Sequence, residues 1–115
     1  MDRNSKITGH NQRNAELVRV FSSKQVDLHQ ARSVELHFWA WGQPNSVRLA
    51  RELYQQGFIV LVLKPAFIED GKDRWNIEAG SKMSIESVIA SDFTARLVDL
   101  ASRFDAEYDG WGTSV

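Results

Sequence analysis

Polar and apolar residues change rhythm several times along this chain, and each rhythm selects an element. From Ser33 to Trp41 they alternate, with Val34, Leu36, Phe38 and Ala40 set against Glu35, His37, Trp39 and Trp41. A period of two predicts a strand with two unlike faces. Arg74 to Met83 alternates in the same way: Trp75, Ile77, Ala79 and Met83 against Arg74, Asn76, Glu78 and Lys82. Between them, Phe58 to Leu63 is a short unbroken apolar run directly after Gly57, which favours a strand over a helix. Lys64-Pro65 ends its regular pairing or marks a sheet edge. Glu69-Asp70-Gly71-Lys72 predicts the turn of a hairpin joining this run to the next strand.

Elsewhere the spacing is helical. Residues 1–10 are polar and read as a loose N-terminus, followed by a single domain over 11–115. Leu17, Val18 and Phe21 form a short stripe that predicts a helix from Asn11 to Gln25. Pro44 suits the first turn of a second helix with a stripe of Val47, Ala50, Leu53 and Tyr54, and Gly57 suits its end. Ser84 is a good N-cap for a third helix, in which Ile85, Val88, Ile89, Phe93, Leu97, Leu100, Ala101 and Phe104 keep helical spacing. One continuous helix here would span about 20 residues, roughly 30 Å. Tyr108 to Val115 then completes a last strand. A helix followed by two strand-helix-strand units is the order of a ferredoxin-like split β-α-β sandwich. The expected fold is thus α+β: an antiparallel sheet with helices on one face, plus an extra N-terminal helix.

Composition narrows the function more than the fold. The chain has 115 residues, 43% of them hydrophobic, enough for one two-layer core. A net charge of −1 argues against bulk attraction to nucleic acid, so direct binding of RNA or DNA is not expected. The absence of Cys removes thiolate catalysis and Cys-based zinc sites, and suits a reducing compartment. The N-terminus leads into no apolar signal segment, and the longest apolar run is far too short to span a bilayer, so the expected location is the cytoplasm. His10, His29 and His37 lack metal-site spacing, no Ser sits in a nucleophile elbow, and no Gly-rich phosphate loop is present. Neither a metal nor a cofactor is expected.

The first strand has an unusual second face. If Val34, Leu36 and Phe38 face the helices, then Glu35, His37, Trp39 and Trp41 lie on the open side of the sheet. Two Trp side chains there call for a cover: the N-terminal helix, a second copy in a homodimer, or a partner. A His beside Trp also admits an alternative, a small-ligand or haem-binding protein or enzyme using the His37/Trp39 face. RNA-recognition domains place aromatics on such a face too, but their basic Gly-aromatic signature is absent.

The densest motif is Asp105-Ala106-Glu107-Tyr108-Asp109-Gly110-Trp111-Gly112-Thr113. Asp-Gly signals a turn or bulge. Tyr108 and Trp111 either clamp the preceding helix to the sheet or, with Asp105, Glu107 and Asp109, form an acidic, aromatic surface for a basic partner segment. This run resembles the terminal signature of the RraB family, the regulators of ribonuclease E activity. Ala101-Ser102-Arg103-Phe104-Asp105, Gln55-Gln56-Gly57-Phe58 and Ala31 to Phe38 are similar to further parts of that family, so the resemblance spans residues 14–113. It implies a non-enzymatic protein without a cofactor that binds ribonuclease E, or another protein of RNA metabolism, and modulates RNA cleavage. The partner-binding candidates are Tyr108, Asp109, Gly110, Trp111, Asp105 and Glu107, with Glu35, His37, Trp39 and Trp41 as the second surface.

Overall fold

Both rhythms reappear in the computed structural model, which describes residues 2–69 and 72–114. The elements are α1 (Arg3–Ser23), β1 (Ala31–Trp41), α2 (Gln43–Gln55), β2 (Ile59–Glu69), β3 (Lys72–Ser84), α3 (Ile85–Ile89), α4 (Ser91–Ser102) and β4 (Ala106–Thr113). The strands form one antiparallel sheet in the order β2-β3-β1-β4. β3 lies between β1 and β2, so the first strand-helix-strand unit is split as expected. Asp70-Gly71, the centre of the expected hairpin turn, and Val115 lie outside the described residues.

One sheet face carries the core. Val34, Leu36, Phe38 and Ala40 of β1 and Ile77 and Ala79 of β3 are buried with Leu49, Ala50 and Leu53 of α2 and Leu97, Val98, Leu100 and Ala101 of α4. The turn into α2 needs Gly42, whose φ of +81° suits a residue without Cβ. Asn45 Nδ2 then donates to the Trp41 carbonyl at 3.0 Å, and Ser46 Oγ to the Gly42 carbonyl at 2.7 Å. At the far end Gly57 has φ +96°, and the N–H groups of Gly57 and Phe58 reach back to Tyr54 and Leu53 carbonyls, both at 3.0 Å. This is the expected glycine stop.

Three local expectations change. Helix α1 begins at Arg3 rather than Asn11, capped by Asp2, whose Oδ1 accepts from the Ser5 N–H at 2.7 Å. Its buried positions are His10 and Asn14, polar residues that break the apolar stripe the pattern relies on. The long third helix is two, because Ala90 is extended, with ψ 134°. The break leaves Ile85 and Val88 buried on one side and Leu97 and Leu100 on the other, so periodicity does not reveal it. In α2 the buried stripe is Ser46, Leu49, Ala50 and Leu53, while Tyr54 is 72% exposed. The reading of Lys64-Pro65 holds: β2 is an edge strand, its pairing with β3 shifts register after Pro65, and it runs on to Glu69, as an edge strand tolerates.

Candidate protein-docking face

The pairing register assembles the second sheet face residue by residue. Directly opposed strand residues point the same way. Glu35 lies between Gly80 and Gly112, His37 between Glu78 and Gly110, and Trp39 between Asn76 and Glu107. Trp41 lies beside Arg74. The Trp39 and Trp41 rings meet edge to face at 5.3 Å, and the Arg74 guanidinium sits 4.5 Å over Trp39. His37 Nδ1 is 3.1 Å from Glu78 Oε1, and its Nε2 is 3.8 Å from Glu35 Oε2.

A bulge in β4 explains the terminal motif. Tyr108 opposes Phe38 and Gly110 opposes His37, so Asp109 is an extra residue in the ladder. Strict alternation would send Tyr108 and Trp111 to opposite faces, because they are an odd number of residues apart. The inserted residue turns both toward the helices, Tyr108 opposite Phe38 and Trp111 opposite Leu36. Gly110 takes φ +121° at this point, a conformation that disfavours any side chain.

The motif therefore serves two sides of the sheet. On the helix side, Tyr108 is 6% exposed and its ring stacks on His10 at 4.7 Å. Burial pushes the Tyr108 phenol above its ordinary range. Trp111 Nε1 donates to Asn14 Oδ1 at 2.9 Å, and its ring lies 6.1 Å from Phe21. His10 Nδ1 is 2.8 Å from an Arg13 guanidinium nitrogen, which can only donate. Nε2 therefore carries the hydrogen and donates to the Tyr108 carbonyl at 3.0 Å. Burial, and then the Arg13 charge, hold His10 below its ordinary pKa, consistent with this neutral form. These contacts seat α1 along β4 on the helix side, so its Leu17, Val18 and Phe21 stripe is not what covers Trp39 and Trp41, one of the three covers the sequence admits.

On the open side, Asp109 joins His37, Trp39, Arg74, Asn76 and Glu78 around a cleft of about 110 Å³. Asp105 and Glu107 join Trp39, Trp41 and Lys6 around a second cleft of about 150 Å³. Lys6 Nζ reaches Glu107 Oε1 at 3.0 Å. The two candidate surfaces in the sequence are thus one face, built from Glu35, His37, Trp39, Trp41, Asp105, Glu107, Asp109 and Gly110. Tyr108 and Trp111 are the two candidates that point away from it. Sequence reasoning missed Glu78, His10 and Asn14. The alternation of β3 placed Glu78 on an outer face, but its register against His37 is not visible in one strand. His10 and Asn14 could have been found by extending the Phe21 spacing backward, with polar residues allowed.

The cleft at His37 and Trp39 is well below the ~300 Å³ floor of small-molecule pockets, which counts against the haem or small-ligand alternative. His10 is bonded to Arg13 and a carbonyl, His29 is paired with Glu86, and His37 lies between two glutamates. The sheet order and the split strand-helix-strand unit define the class: an α+β sandwich of the ferredoxin-like kind, with Trp and carboxylate side chains on its open face.

The family comparison agrees with that class. The chain belongs to the RraB family, described as regulator of ribonuclease activity B, whose sequence pattern matches residues 11–113. Members are non-enzymatic regulators of ribonuclease E. The match begins at Asn11, so Lys6 and His10, which close the seam between α1 and β4, precede it. Comparison with curated proteins finds no match. Among the described residues, no helix is long and apolar enough to cross a membrane.

Proposed function

We propose that the open sheet face is where this protein engages ribonuclease E, and that it binds a basic segment of the nuclease there. The observation that carries the reading is the convergence on one face of Trp39 and Trp41 with Glu35, Asp105, Glu107 and Asp109. Trp residues are favoured interface anchors, because they offer large contact area with little conformational entropy to lose. Carboxylates around them repel a phosphate backbone and attract Lys and Arg, so the face suits a basic protein segment rather than RNA itself. Tyr108 and Trp111 contribute from behind, by fixing α1 and the bulge that presents Asp109. The effect on cleavage is then steric or conformational, exerted through the nuclease, with no covalent chemistry in this chain. RNA decay also makes the cytoplasm the place of action.

Two copies pairing through the same face would compete with the nuclease for Trp39 and Trp41. Calorimetric titration of wild-type protein and of Glu107→Lys/Asp109→Lys into ribonuclease E tests the reading. The expected result is binding by the wild type that weakens at least tenfold in the double variant and falls with salt. Equal affinity for both proteins would place the nuclease on another surface.

A further inference from the structure

We propose that Glu35, His37 and Glu78 form a binding site for a divalent transition-metal cation such as Zn2+. One ligand atom from each side chain lies within 4.8 Å of the other two. His37 and Glu78 are directly opposed on neighbouring strands, and Glu35 is two residues before His37 on the same face. The ladder therefore fixes the three backbone positions, and only side-chain torsions remain to be set. The 3.1 Å between His37 Nδ1 and Glu78 Oε1 is close to the ~3.3 Å between two ligands of one tetrahedral zinc, given metal bonds of about 2.0–2.1 Å. Glu35, with a half-exposed side chain, has the freedom to swing onto the same ion.

The surroundings leave room for an ion to approach. On β4, Gly110 and Gly112 oppose His37 and Glu35. A Cβ at Gly112 would stand 3.5 Å from His37 Nε2, so any longer side chain there would crowd the imidazole. Asp109 borders the cleft that His37 and Glu78 line and adds negative charge beside the cation. One imidazole and two carboxylates suit zinc and its first-row neighbours, whereas carboxylates alone would favour magnesium or calcium. Water or a partner side chain would complete the coordination. Searching the spacing of histidines misses such a site, because two of its ligands are glutamates and one comes from another strand. The inference stands on these ligands alone and does not depend on where the nuclease binds.

The test titrates the chelator-treated protein with Zn2+ by calorimetry and with Co2+ by visible absorption. The expected result is one ion per chain at micromolar affinity. His37→Ala and Glu78→Gln should each weaken it roughly tenfold or more. His29→Ala should leave it unchanged, which separates this site from the exposed His29–Glu86 pair. Circular dichroism and urea midpoints confirm that each variant is folded, and Glu35→Gln provides a further probe should His37→Ala fail to fold. No binding by the wild type at sub-millimolar metal would overturn the proposal. So would binding that is indifferent to His37→Ala and Glu78→Gln, or lost in His29→Ala.

Discussion

Removing the indole N–H of Trp111 is the sharpest test of how the terminal motif works. Trp111→Phe leaves Asn14 Oδ1 without the donor now 2.9 Å away, in a residue only 7% exposed. An unsatisfied buried polar group costs about 1–3 kcal/mol. Asn14→Leu should cost a similar amount, because it strands the indole N–H instead. The double variant replaces both partners with apolar groups, so its cost should be close to that of one single variant rather than the sum. Urea denaturation gives each value, with an unchanged m confirming that the unfolding reaction is the same. Trp111→Ala also deletes a ring packed on the core and near Phe21. Its cost should approach the ~3–5 kcal/mol seen for large aromatic deletions, toward the lower end because Trp111 is only partly buried. The reasoning is refuted if Trp111→Phe costs less than about 0.5 kcal/mol, or if the double variant is simply additive.

Three other outcomes follow from the same structure. The folded-state pKa of His10 is lowered from 6.5, so the unfolded chain takes up the proton first as pH falls. Its contribution is therefore complete above pH 6.5 and is lost as pH drops below that value toward the lowered folded-state pKa. Urea midpoints measured across this window should fall with acidification, and His10→Gln should flatten that dependence. Gly110→Ala must hold φ +121° with a Cβ, and should lower stability by about 1–3 kcal/mol in the same assay. Trp39→Ala removes ring contacts on the open face worth about 0.5–1.5 kcal/mol, so it should unfold nearly as late as the wild type.

The parts of the fold legible in the sequence are those that one element decides alone. The alternation at Val34 to Ala40 sets the faces of β1 without reference to any neighbour, and Gly57 stops α2 because its backbone demands it. The parts that escaped depend on two elements at once. His10 and Asn14 look like solvent-facing residues until Tyr108 and Trp111 are placed beside them. Ala90 interrupts a helix whose apolar spacing continues on both sides. The residues of the proposed docking face were legible as two separate lists, but only the bulge at Asp109 shows that most of them share one sheet face and that Tyr108 and Trp111 leave it.

The most direct measurement follows cleavage of an RNA substrate by ribonuclease E while wild-type protein, Trp39→Ala and Trp111→Phe are titrated in turn, with binding read by calorimetry. The account predicts that the wild type binds and slows cleavage. Trp39→Ala, folded and stable, should lose at least tenfold in both. Trp111→Phe should keep its affinity at temperatures where it remains folded. Full activity in Trp39→Ala, or loss of binding in folded Trp111→Phe with Trp39 intact, would contradict the claim that the open sheet face is the docking surface.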